Sequence, residues 1–225
     1  MSPVAGVDGC RRGWVVVVLH ESRFEHAFTC ASFGEVLDGL TGCVAVGVDM
    51  PVGLVDAGGR ECERLAREHL GPRAGTIFAM PPREALEAPT HAEALARCRD
   101  LGVPGVSAQG YALRSKVLDV ETHATSVDVP VLEVHPELSF RAMAAGAVLP
   151  RKRTWDGLWH RHELLRAQAI ALPERLPDTR GAAPDDVLDA AAVAWTALRY
   201  ARGAAVSLPD PPQAGPRGER IAIWY

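Results

Sequence analysis

The chain predicts an α/β fold: a mixed sheet of three antiparallel strands followed by parallel strands, flanked by helices and carrying a helical insertion. Three features point there. Apolar, β-branched stretches near the N-terminus are separated by short polar links, a later apolar run stands alone between helical patterns, and helical periodicity dominates from about residue 56 onward.

Val4 to Val7 reads as a buried strand ending on Asp8-Gly9, Trp14 to Leu19 as a second and Phe24 to Cys30 as a third. Their short connectors favour an antiparallel meander. Ser32, followed three residues on by Glu35, is a capping signature for a helix to about Leu40. Gly42 to Val48 is continuously apolar, as expected of a strand covered on both faces, and Asp49-Met-Pro51 ends it because proline cannot donate to a ladder. Helical spacing follows over Gly59 to Leu70, Thr90 to Leu101 and Ser107 to about His123, with a loop over 71–83. Val129 to Val134 reads as another strand, broken at His135-Pro136. Helices are then expected over Glu137 to Gly146, Asp156 to Leu172 and Asp185 to about Arg202. Pro209 to Pro216 reads as a proline-rich link before a short apolar terminus, Ile221 to Tyr225. No repeat or linker divides the chain, so a single domain over 1–225 is expected, with the mostly helical insertion at about 56–125.

Composition bounds the function. At 225 residues, 48% hydrophobic and 23% charged, the chain is an ordinary globular mixture with enough length for a large core. Its apolar runs, such as Trp14 to Leu19, are far short of the ~20 residues a membrane helix needs, so no membrane partner is expected. Met1-Ser2-Pro3 leads straight into a strand-like stretch rather than a secretory signal, and the odd number of cysteines, five, forms neither a disulfide framework nor a zinc ribbon. A cytoplasmic protein is expected. The net charge of −4, from 24 basic and 28 acidic residues, argues against a large unspecific grip on nucleic acid but leaves room for a local basic groove.

The acids carry the chemistry. Asp8 ends the first strand and Asp49 the fourth, so neighbouring strands would bring both to one edge of the sheet. Like charges that close raise one pKa or require a cation. On the last helix, Asp189 can share a face with Asp185 or Asp186. Oxygen ligands without a His/Cys set suit Mg²⁺ or Mn²⁺, and two such ions ~3.5–4 Å apart support in-line displacement at phosphorus. Each acid has an ordinary alternative: Asp8-Gly9 is a common turn pair, Asp49-Met-Pro a strand end, and Asp185 and Asp186 sit where a helix dipole favours acids. Asp189 lies deeper, among Val187, Leu188 and Ala190 to Ala192, and is costly there unless partnered.

With these residues in view, the chain resembles domain-of-unknown-function family 429, a family described as predicted ribonuclease H-like nucleases. The resemblance rests on Asp8-Gly-Cys-Arg-Arg-Gly-Trp14, Asp49-Met-Pro-Val-Gly-Leu54, Arg60-Glu-Cys-Glu-Arg-Leu-Ala-Arg67, Gly105-Val-Ser-Ala-Gln109, Glu133-Val-His-Pro-Glu-Leu-Ser-Phe140 and Asp185-Asp-Val-Leu-Asp-Ala190, in that order. It implies a ribonuclease H-like fold with an acidic metal site in which Asp8 matches the first-strand aspartate, Asp49 the fourth-strand acid, and Asp186 and Asp189 the last-helix acids.

Other constellations rank below these. Glu133 and His135 alternate with Leu132 and Val134 and so share a strand face. His135 can orient water or protonate a leaving oxygen, or simply hold the turn before Pro136. Glu133 and Glu137 are secondary candidate ligands. Arg60 and Arg67, at helical spacing with Arg64, can hold a phosphate or pair with Glu61, Glu63 and Glu68. Lys152 and Arg161 belong to the densest basic stretch, where Trp155 and Trp159 are available to stack on bases; the ordinary alternative is a solvated helix face with tryptophans in the core. Ser107 and Gln109 can touch substrate or cap a helix.

The expected function is a metal-dependent nuclease with nucleic acid as substrate, its oligomeric state open, with a dimer one option. The alternatives are an actin-like nucleotide hydrolase or phosphotransferase, and a binding protein that keeps the fold without cutting. No Gly-x-x-x-x-Gly-Lys-Ser/Thr phosphate loop is present.

Overall fold

The computed structural model describes residues 2–225. Strands β1 (Val4–Cys10), β2 (Gly13–His20) and β3 (Arg23–Cys30) form the expected antiparallel meander, and β4 (Val46–Val48) and β5 (Val131–Val134) add to its other side in parallel. β1 runs on through Asp8 to Cys10, so Asp8 lies within the strand rather than beyond its end. Helix α1 (Phe33–Asp38) starts at Ser32, whose hydroxyl accepts from the Glu35 amide, while Glu35 accepts from the Ala31 amide. Between β4 and β5 lie α2 (Glu61–Leu70), α3 (Arg83–Leu86), α4 (His91–Asp100), α5 (Ala108–Ala112) and α6 (Arg114–His123). Then come α7 (Pro136–Met143), α8 (Trp155–Ala167) and α9 (Pro184–Ala201).

The sheet has two more strands than expected. β6 (Ser207–Ala214) and β7 (Arg220–Trp224) pair antiparallel, and β7 pairs parallel with β5, giving the order β3-β2-β1-β4-β5-β7-β6. The prolines Pro209, Pro211 and Pro212 made this segment look like a link, but β6 is the edge strand and its ladder breaks between Leu208 and Gln213, where a missing N–H is tolerated. The first five strands form the mixed ribonuclease H-like sheet expected from the sequence.

Alternation along β1 divides the core. Ala5 and Val7 face one side with Trp14, Val16, Phe33 and Val48, and Val4 and Cys10 face the other, against α9. Helix α9 is alanine-rich and almost wholly buried, and two glycines let it lie close on the sheet. A Cβ at Gly6 would fall 2.1 Å from the Ala190 carbonyl oxygen and the Ala194 amide, and one at Gly47 2.7 Å from Val193. Among the described residues no helix is long and apolar enough to cross a membrane.

Candidate metal centre

Strand parity and the seat of α9 assemble the site. Gly6 and Asp8 share the α9 face of β1, and Gly47 and Asp49 continue the same face along β4. Residues Val7 and Val48 are paired neighbours, and the Asp49 amide donates to the Val7 carbonyl at 2.9 Å, which aligns the two strand ends. Helix α9 rests on both glycines through Ala190, Val193 and Ala194, so Asp189 comes down beside the two strand acids. Carboxylate oxygens of Asp8, Asp49 and Asp189 all lie within 4.8 Å of one another.

Burial governs their charge. Asp8 is 6% and Asp189 2% exposed. Loss of water raises the Asp49 and Asp189 carboxyls to about 7 each, with Lys152 pulling the other way. Burial also lifts Asp8 well above the ordinary range, and the charges of Asp49 and Asp189 lift it further. One Asp8 oxygen accepts from the Gly9 amide at 2.7 Å. Lys152 donates to Asp189 Oδ2 and sits 4.0 Å from Asp185, but Asp189 Oδ1 is buried with no hydrogen-bond partner. A buried anionic oxygen without a donor is unfavourable unless a cation meets it. Three converging carboxylates, one with an orphaned oxygen, are a donor set that fits a hard divalent ion.

The cluster opens into a cavity of about 710 Å³. Met50, Ile77, Phe78, Met80 and Leu113 give it an apolar wall, while Arg73, Lys116 and Arg151 to Arg153 bring positive charge to its lining.

The chain matches, over residues 6–214, a family model described as a protein of unknown function, DUF429. It belongs to the DUF429 family. No curated protein and no solved structure matches it.

In this DUF429 chain the remaining sequence candidates separate into three groups. Lys152, His135 and Asp186 line the same cavity as the acid cluster. His135 Nε2 donates to the Thr76 carbonyl, 3.3 Å away, while its Nδ1 is buried and unpartnered, and burial lowers its pKa. Asp186 accepts from the Ala183 amide at 2.9 Å, closing the first turn of α9, and Asp185 pairs with Arg153 at 3.1 Å. Neither belongs to the three-carboxylate group, although Asp186 is close enough for its charge to raise the Asp8 carboxyl.

A second group, Glu133, Arg60 and Glu137, also lines the cavity, but its charged ends are tied up within the protein and hold the site in place. Glu133 pairs in register with Val48, so its side chain faces away from α9, opposite to Asp49. It accepts from the Val52 amide at 2.9 Å and from buried Arg60, whose Nε donates to the Gly53 carbonyl at 3.0 Å. Arg60 also pairs with Glu63 at 2.9 Å. These charges grip the turn after Asp49, so Arg60 is not free for phosphate. Glu137 pairs with Arg161 at 2.5 Å, and Arg161, fully buried, donates to the Pro150 carbonyl at 2.9 Å. Arg161 is thus the tie that fixes the loop carrying Lys152, and not a substrate contact.

The third group lies outside the cavity lining. Arg67 donates to the Ile77 carbonyl at 2.8 Å, Ser107 caps α5 by accepting from the Gly110 amide at 3.0 Å, and Gln109 is exposed on that helix. Arg64 makes the ordinary surface pairs with Glu61 and Glu68. Sequence reasoning missed Thr76, Phe78 and Met80, which lie in or just after a short 3₁₀ turn and carry no spacing signal. Lys116 also lines the cavity, donating to the Gly13 carbonyl over the Trp14 ring.

Proposed function

We propose that the protein is a divalent-metal-dependent hydrolase that cleaves phosphodiester bonds of nucleic acid. The observation that carries this is the convergence of Asp8, Asp49 and Asp189, one of them with a buried, unpartnered carboxylate oxygen, in a cavity whose lining also carries Arg73, Lys116 and Arg151 to Arg153. These three acids would hold Mg²⁺ or Mn²⁺, which when bound supplies charge neutralisation and a water more acidic than bulk water, to be deprotonated by a general base.

The chain's own groups supply the rest. Lys152, free to rotate on a four-carbon stem, can turn from Asp189 to a phosphate oxygen. Arg151 is exposed at the cavity rim and adds long-range attraction for a polyanion. His135, kept neutral at working pH by burial, presents Nδ1 as a proton acceptor. Three carboxylates suffice for one ion, and the two-ion form suggested by the sequence would draw on Asp186, which lines the cavity and has one oxygen bonded to the Ala183 amide.

The test is incubation with Mg²⁺ or Mn²⁺ and single-stranded, duplex, hybrid and branched DNA and RNA, alongside Asp8→Asn and Asp189→Asn. Metal-dependent cleavage that falls to background in both variants is expected. Cleavage that survives both substitutions sinks the proposal, as does metal-dependent ATP hydrolysis with every nucleic acid left intact.

A further inference from the structure

Helix α8 leaves two tryptophans in water. Trp155 is 76% and Trp159 52% exposed, in a fold that buries Trp14 and Trp195. The sequence alternative of core tryptophans is thereby overturned. Large apolar rings are costly on a surface, and paired ones mark an interaction site more often than a single exposed residue does. The helix is firmly built beneath them: the Thr154 hydroxyl accepts from the Gly157 amide at 3.1 Å, and Gly157, Arg161 and Leu165 form its buried side. Spacing of i, i+4 and i+7 then places Trp155, Trp159 and His162 along one outer stripe. The two indoles are nearly parallel, 20° apart with centroids separated by 6.1 Å, and the His162 ring follows 6.1 Å beyond Trp159.

The stripe begins where the cavity ends. Arg151, Lys152 and Arg153 line the cavity and precede Trp155 by only a few residues. Positive charge for phosphates and flat rings for bases therefore adjoin on one surface. A duplex hides its base faces against one another at ~3.4 Å per step along each strand, whereas rings about 6 Å apart suit bases drawn away from their neighbours. Charge beside the rings also separates this surface from an ordinary apolar protein contact.

We propose that Trp155 and Trp159 form a stacking platform for unpaired bases of a single-stranded nucleic-acid segment that leads from the acid cluster across the Arg151–Arg153 loop. The inference rests on the nucleic-acid reading of that cluster and adds strand state to it: the preferred substrate carries a single-stranded or splayed region.

The test is fluorescence anisotropy of labelled oligothymidylate and oligouridylate of about fifteen nucleotides, near the upper end of the ~4–16 nucleotides that single-strand sites occupy. A duplex of the same length serves as control, and EDTA prevents turnover. Wild type should bind the single strands at least ~10-fold more tightly than the duplex, and Trp155→Ala/Trp159→Ala should lose ~10-fold or more of that affinity, since each stacked base contributes roughly 5- to 150-fold. Trp155→Phe/Trp159→Phe should recover most of it. Unfolding temperatures should match across the set, because neither ring is buried. Unchanged affinity in the alanine variant overturns the platform. Unchanged affinity with lost self-association, or with lost binding to phosphatidylserine vesicles, overturns it in favour of a second copy or a lipid surface. Cleavage by wild type with such unchanged affinity leaves the metal-site proposal standing, whereas ring-dependent binding without any metal-dependent cleavage keeps the platform and removes the nuclease.

Discussion

Replacing Asp49 with asparagine should stabilise the metal-free protein in mild alkali and leave it nearly unchanged in acid. Asp49 titrates at about 7 in the folded protein against 3.8 ordinarily, chiefly because burial strips its water. A carboxyl raised in the folded state holds its proton more tightly there than in the unfolded chain. Its contribution to stability is therefore present below about pH 4 and is lost as pH rises through about 7. The span of 7 − 3.8, or 3.2 units, at ~1.36 kcal/mol per unit gives about 4 kcal/mol, the penalty wild type carries in EDTA at about pH 8 and the variant does not. For a chain of this size 1 kcal/mol moves the unfolding temperature by roughly 2–4 °C, so the difference should be about 10 °C. Calorimetry or urea denaturation of both proteins across about pH 4 to 8 would trace it. Adding Mn²⁺ should then stabilise wild type, by about 2.7 kcal/mol at 100 times its dissociation constant, while the asparagine variant responds weakly. Parallel stability curves for the two proteins, or a variant less stable than wild type at the alkaline end, would refute the idea that Asp49 is a buried charge awaiting a cation.

Lys152→Met should lower metal-free stability at about pH 8 by a few kcal/mol at most, the ammonium being only partly buried, and should tighten Mn²⁺ binding measured by titration calorimetry. Weaker Mn²⁺ binding would show that the ammonium assists the ion instead of competing with it. Arg60→Ala leaves Glu63 and Glu133 buried without their counter-ion, and urea denaturation should report a loss of roughly 3–5 kcal/mol. A loss under 1 kcal/mol would mean that water or another group takes over the guanidinium's role. Gly6→Ala puts a methyl 2.1 Å from the backbone of α9 and should cost at least ~4 kcal/mol or prevent soluble expression, whereas a variant with wild-type stability would show that α9 can move off β1.

The meander, the parallel strands and the last helix were all legible, because β-branched runs with short connectors and an alanine-rich helix each have one period and one burial pattern. The terminal hairpin was not, since Pro209, Pro211 and Pro212 oppose strand propensity everywhere except on an outer edge, and only the completed sheet shows which strand that is. At the site, Asp8, Asp49 and Asp189 were readable as acids at places where a charge is costly. Glu133 and Glu137 looked equivalent on paper, but pairing of Glu133 with Val48 turns it to the far face, and Arg161 claims Glu137. Arginines pose the same difficulty. Arg60 and Arg161 read as solvent-facing phosphate contacts, and only tertiary packing reveals them as interior ties between loops.

The proline-bearing β6 constrains how copies of this protein can meet. Its prolines remove hydrogen-bond donors from one rim of the sheet, and its ladder is already broken between Leu208 and Gln213. At the opposite rim, β3 carries Arg23, Glu25 and His26, and Thr29 on it donates to the Asp178 carbonyl of a neighbouring 3₁₀ turn. Both borders are thus poor templates for a foreign strand, which protects a broad seven-stranded sheet from edge-to-edge aggregation. Edge-to-edge joining of two copies into one continuous sheet is thereby disfavoured relative to contacts through helices or loops.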